Sequence, residues 1–286
     1  MFTFIGAPGD SVLRGGGAEG APQRLRELGL PTAIGSDAGD LAVTIRGDER
    51  DPDTGIISSA DVLAATRTIR EAVREAFGRG VRPFVSGGCC GMFPGALAGA
   101  RDALGPVGLV YIDGHQDLWN GTTSTTGEAA DMPLGVAIGV GPPAWVEATD
   151  GPGVQAESAF LLANRDHEET GELPDPASFG LAYRPLERVR VVRPDVVAHE
   201  AAVALGSRPG RYWVHLDVDA IDSVLFPATD YLQPDGLTWE EVDALLTPLV
   251  TDRMVGMSLG CFNPDKDPDG AAGRGLADLL SGVLGD

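Results

Sequence analysis

Short β-rich runs alternate with helical patterns along nearly the whole chain, and few architectures accept that alternation. The runs fall at Phe2–Gly6, Arg82–Val85, Gly108–Ile112, Ala159–Leu162, Val189–Val192, Arg211–Leu216 and Met254–Leu259. Helical periodicity covers Ser59–Gly78, Met92–Leu104, Val196–Leu205, Trp239–Val250 and Ala271–Leu284. In the first of these, Val62, Ile69, Val73, Ala76 and Phe77 form one apolar stripe; Ser58 is placed to cap it and Gly78 or Gly80 to stop it. Strands of four to six mostly apolar residues joined by helices imply right-handed crossovers and a parallel sheet covered on both faces. No linker, charge block or internal repeat interrupts the 286 residues, so one α/β domain over 1–286 is expected.

Open parallel sheets bind ligands beyond the carboxyl ends of their strands, and three such ends are unusual here. "LVYIDGHQDLWN" sets Asp113, His115 and Asp117 two residues apart; "VHLDVDAID" ends its strand on Asp217 and Asp219; "FVSGGCCGMFPG" follows its strand with Cys89 and Cys90. Each has a bland account. Short acidic runs cap backbone amides in turns, and a cysteine pair is commonly core packing. Together, however, the acidic motifs would bury four carboxylates side by side, which is prohibitive unless cations neutralise them. Oxygen ligands with an imidazole suit Mn²⁺, Mg²⁺, Fe²⁺ or Zn²⁺. Carboxylates bridging two such ions give a site able to make hydroxide from water at neutral pH. His215 shares a pleat face with Asp217, which places it one layer below the ligands in a hydrogen-bonding role. His167 and His199 are weaker candidates, and Trp119, Trp145 and Tyr231 read as core or rim.

A net charge of −21 repels phosphate backbones and anionic lipids, so neither nucleic acid nor membrane is an expected partner; a cationic small molecule or metal ions suit it better. "MFTFIGAPGD" lacks the basic start and apolar stretch of a signal peptide, and no run approaches the ~18 apolar residues of a membrane span. Three cysteines, two of them adjacent, make no disulfide framework, so a cytoplasmic setting is expected.

The chain resembles the arginase/agmatinase (ureohydrolase) family nearly end to end. "FIGAPGD" and "GAEGAPQRLRELGL" are similar to that family's opening strand, glycine loop and first helix. "IDGHQD" resembles its D-A-H-x-D metal motif and "HLDVDAID" its D-x-D-x-x-D motif; "NRDHEE" is similar to G-x-R-D-x-x-x-E and "FNPDKD" to N-P-x-x-D. The resemblance implies a three-layer αβα fold around a central, mostly parallel eight-stranded sheet, a trimer or hexamer, and two divalent metal ions, Mn²⁺ in that family. Carried over by position, Cys90, Asp113, Asp117 and Asp217 would hold one ion. His115, Asp113, Asp217 and Asp219 would hold the other, with Asp113 and Asp217 shared.

Three positions depart from the pattern. Cys90 stands where the family normally has histidine, as in some hydroxyarginine-cleaving members, and a soft thiolate suits Mn²⁺ poorly. Ala130 stands at the family's proton-shuttle histidine, leaving Glu128 and Asp131 as nearby ionisable candidates on a loop that reads as solvated. Cys261 stands at the glutamate that pairs with a substrate guanidinium, a contact worth on the order of 2–5 kcal/mol; Cys261 and Asn120 are the candidate substrate contacts. The leading reading is therefore a hydrolase of non-peptide C–N bonds in a linear amidine or guanidino compound, with Asp117 orienting the nucleophile and accepting its proton. A non-catalytic metal- or ligand-binding protein of this fold and a deacetylase-type amide hydrolase are the alternatives.

Overall fold

The computed structural model describes residues 1–12, 16–165 and 175–285. Eight strands, β1 (Phe2–Ala7), β2 (Gly35–Asp40), β3 (Arg82–Gly87), β4 (Gly108–Ile112), β5 (Ala159–Leu162), β6 (Ala182–Arg184), β7 (Tyr212–Asp217) and β8 (Met254–Gly260), form one sheet. Their order is β2-β1-β3-β8-β7-β4-β5-β6, and every pairing is parallel. The four central neighbours, β3, β8, β7 and β4, all send their carboxyl ends to the same edge. The motif-bearing loops following β3, β4 and β7 therefore meet there, joined by the turn at Cys261 after β8.

Alternation along each strand divides the core. Phe4, Phe84, Ile112 and Leu216 face a layer built from helices Ala21–Glu27, Leu30–Ile34, Leu186–Val192, Pro194–Ser207, Trp239–Leu246 and Ala271–Leu284. Ile5, Val85, Tyr111 and Trp213 face the layer of helices Ser59–Gly78, Phe93–Leu104 and Pro133–Ile138. The sheet is thus dry on both sides, as the near-continuous apolar strands require.

Several local expectations are corrected. Val189–Val192 ends a helix, not a strand; Val189 packs inward while Val191 stays exposed, which is the spacing of a helix face. Ser58 does not cap helix Ser59–Gly78. It sits at φ 52°, and its hydroxyl donates instead to the carbonyls of Arg46 (2.9 Å) and Gly47 (2.7 Å). The edge strands β2 and β6 carry no apolar pattern and were not foreseen.

Candidate metal centre

Asp113, Asp117, Asp217 and Asp219 are all buried, at 1%, 6%, 2% and 2% exposure, so the cluster anticipated from the motifs is sequestered from water. Cys90 follows β3 in a short 3-10 turn, Asp113 and His115 follow β4, Asp217 and Asp219 close β7, and Cys261 follows β8 at φ 67°. A positive φ on a non-glycine residue costs energy and concentrates at functional sites. Gly260 has no room for a side chain, because a Cβ there would lie 2.9 Å from Cys90 Sγ.

Three groups of ligand atoms lie within 4.8 Å of one another: Asp113, His115 and Asp219; Cys90, Asp113, His215 and Asp217; and Asp217, Asp219 and Cys261. His115 Nδ1 is 3.1 Å from Asp219 Oδ2 and 3.7 Å from Asp113 Oδ1. Cys90 Sγ touches the Asp217 carboxylate and lies 4.0 Å from Asp113 Oδ2, 3.0 Å from His215 Nε2 and 3.7 Å from Cys261 Sγ. Asp117 lies beside these groups without joining them. It sits at φ 53°, and its Oδ2 accepts the Tyr111 hydroxyl at 2.5 Å.

Burial, with the charge of Asp219 added, raises Asp113 to about 7. Burial and neighbouring carboxylates likewise hold Asp117 and Asp217 well above the ordinary range. Burial would discharge His115, but Asp219 and Asp113 outweigh it and raise its pKa. Burial would also raise Asp219, yet His115 and Arg165 prevail and lower it. The Cys90 thiol is pushed up by burial and by Cys261 and Asp217. His215 is driven down to about 3 by burial and stays neutral. Protons are here doing a cation's work, and divalent ions answer the accumulated negative charge better. The Asp113–His115–Asp219 group, oxygen and imidazole only, fits a hard ion; the thiol-rich side fits a softer one.

Gln233 carries no sequence signal, and the contacts of Arg165 could not be read from its motif. The Gln233 amide nitrogen lies 2.6 Å from His115 Nε2, and its Oε1 is buried without a partner. Turning that amide over puts Oε1 on the Nε2–H, the outer partner a ligating histidine normally has. Arg165, from "NRDHEE", donates to five carbonyls, those of Asp219, Ala220, Ile221, Gln233 and Pro234, at 2.8–3.3 Å. His167 lies outside the described residues, and His199 is exposed on its helix.

The loop after Asp117 is solvated only in part: Thr122, Thr123, Thr125 and Thr126 are exposed, whereas Trp119, Glu128, Ala129, Ala130 and Met132 are buried. Glu128 accepts the Tyr231 hydroxyl, and the Tyr231 ring meets the His115 ring edge-on at 5.5 Å between centroids. Asp131 accepts hydroxyl hydrogen bonds from Ser124 (2.8 Å) and Thr126 within its own loop. Asn120 Oδ1 is occupied by the backbone of Thr122 and Thr123. Trp145 is core, donating to Thr66 Oγ1 at 2.8 Å.

The sequence model of the arginase family matches residues 1–284. The chain is 29% identical over 205 residues to the N(omega)-hydroxy-L-arginine amidinohydrolase of Streptomyces lavendulae, covering 71% of this chain and 68% of that protein. It is 23% identical to the arginase of Brevibacillus brevis, covering 100% of this chain and 98% of that one. The fold superposes on the arginase of Bacillus caldovelox with a TM-score of 0.90 at 22% identity, over 100% of this chain and 98% of that chain.

Proposed function

From the premise that this chain belongs to the arginase family, we propose that it hydrolyses a non-peptide C–N bond in a linear, cationic amidine or guanidino compound other than arginine or agmatine. It is a metal-dependent hydrolase. The observation that carries the reading is the convergence of three buried carboxylates, Asp113, Asp217 and Asp219, with His115 at the carboxyl edge of the central strands, and buried Asp117 beside them. When bound, two divalent cations supply Lewis acidity that lowers the pKa of water. Mn²⁺ suits the His115 position; the Cys90 position takes another ion or takes Mn²⁺ weakly.

The chain's own residues do the rest. Asp117, fixed by the Tyr111 hydroxyl on one oxygen, orients the attacking water with the other and accepts its proton. Glu128 faces Tyr231 and, through it, His115, so it is the acid placed to meet the substrate's cationic end. Asp131 anchors the loop that carries it. Cys261 lies in the ligand cluster, where it offers a guanidinium no negative partner of the kind a carboxylate gives, and arginine and agmatine are therefore poor substrates. A homo-oligomer, trimeric or hexameric, and a cytoplasmic setting accompany this reading; exposed Val224, Leu225 and Leu232 supply apolar surface for a second copy.

The test is a urea- and ammonia-release screen over guanidino and amidino compounds, with arginine and agmatine as references and chelated protein as control. Metal-dependent turnover of a compound other than the references is expected. Two bound metals with no turnover across the panel would reduce the protein to a metal-binding fold.

A further inference from the structure

We propose that the first cation position is a thiolate–imidazole site, completed by His215 from within β7 and Cys261 from the end of β8, and that it takes a borderline-soft ion such as Zn²⁺, Fe²⁺ or Co²⁺. The proposal rests on the two-cation reading and specifies one of its two positions. Cys90 Sγ is the hub between donors from three adjacent central strands: it lies 3.7 Å from Cys261 Sγ and 3.0 Å from His215 Nε2. Two thiolates on one tetrahedral ion, at metal–sulfur bonds of ~2.3 Å, stand ~3.8 Å apart; a thiolate and an imidazole stand ~3.5 Å apart. The sulfur pair already has that separation, and the sulfur–nitrogen pair needs to open by about half an ångström. Asp217, in contact with Cys90 and grouped with Cys261, supplies the fourth donor.

The imidazole is held for this role from behind. His215 Nδ1 lies 2.7 Å from Ser258 Oγ, which also accepts the Trp213 indole N–H at 2.9 Å. Ser258 has two lone pairs and can accept both N–H groups, which leaves the Nε2 lone pair directed at Cys90 Sγ. Stacking on Tyr111 and contact with Phe93, at centroid distances of 4.6 and 4.8 Å, fix the ring plane. A plain structural histidine would satisfy Nδ1 equally well, but would not need a thiol and the carboxylates of Asp113 and Asp217 gathered at its other nitrogen. Two sulfurs, one nitrogen and one oxygen complete a four-coordinate shell, which is the closed arrangement of structural ions; the open position is then left to the Asp113–His115–Asp219 ion. The two positions thus differ in kind.

Cobalt titration of chelator-treated, full-length protein tests this. Thiolate-to-cobalt charge transfer in the near ultraviolet should appear as cobalt binds, and Cys261→Ser should remove about half of its intensity if both thiolates share one tetrahedral ion. His215→Asn keeps a donor near the Nδ1 position for Ser258 but has nothing at Nε2. It should weaken this one site by more than the roughly 10–100-fold that loss of an outer partner costs, with charge transfer from the remaining thiolates still visible at saturation. His215→Gln, whose amide oxygen reaches toward the Nε2 position, should recover part of that affinity. Circular dichroism and melting of each variant separate ligand loss from misfolding. Two cations bound with no thiolate charge transfer would overturn the proposal and leave the two-cation reading intact. An unchanged spectrum and affinity in His215→Asn would remove His215 from the ligand set. Failure to bind any cation would overturn both.

Discussion

Asp113 and Asp217 each give one carboxylate oxygen to a backbone amide two residues on, His115 N–H at 2.7 Å and Asp219 N–H at 2.8 Å, and turn the other toward Cys90. The turn-capping and ligand readings of D-x-H and D-x-D are therefore not rivals, because the two oxygens of one carboxylate serve both. Geometry at Cys90 also changes what a histidine there would do. The space an imidazole would enter is already occupied by His215 at 3.0 Å, and Gly260 can yield nothing further. Cys90→His alone should lose about 1–3 kcal/mol from overpacking, and His215→Ser in the same chain should restore much of it. Urea unfolding of the two single variants and the double variant reads this coupling; a Cys90→His protein as stable as the parent would show that His215 does not fill that space. His215 was legible as a same-face neighbour of Asp217 on β7, since side chains two apart share a pleat face. Its contact with Cys90 was not, because that depends on how the turn after β3 folds across β8.

Arg165 works between elements, tying the turn that closes β7 to the later loop that carries Gln233. Gly114 makes room for it, since a Cβ there would come within 2.8 Å of Arg165 Nη1 and 2.9 Å of Asp219 Oδ1. Arg165→Gln should therefore destabilise the fold by about 1.5–3 kcal/mol and weaken cation binding at the His115 position more than at Cys90. Equal weakening of both positions, read by metal titration alongside unfolding, would contradict a clamp local to Asp219 and Gln233. Among the elements, the central strands and long helices could be read from apolar period alone, because they are buried on defined faces. The edges could not: "GSDAGD" of β2 joins the sheet through its parallel pairing with β1, and "AYR" of β6 is too short to show a period. Val189–Val192 misled because a run of β-branched residues satisfies strand composition while its burial follows a helix.

For the whole molecule, a net charge of −21 surrounds a cluster that is itself acidic, so metal-free protein should show an inverted acid response. Asp113 is released near 3.8 when unfolded and near 7 when folded, so between those values the native state holds a proton that the unfolded chain has lost. Stability must fall as pH rises through that window. His115, raised above its ordinary 6.5, adds stability that is complete below that value and is lost above it, in the same direction. The melting midpoint of chelated protein should drop between about pH 5 and 7.5, while cation-loaded protein should gain over the same interval, because cations compete with protons for the ligands. Parallel curves would argue that the cluster is solvated. Counting metal tests most directly whether these buried carboxylates and His115 hold two ions. Mass-spectrometric metal content after reconstitution should give two divalent cations per chain for the parent and essentially none for Asp217→Asn, whose carboxylate is grouped with Cys90, Asp113 and His215 on one side and with Asp219 and Cys261 on the other. Two tight ions retained by Asp217→Asn, or a parent that binds none, would contradict the two-ion account.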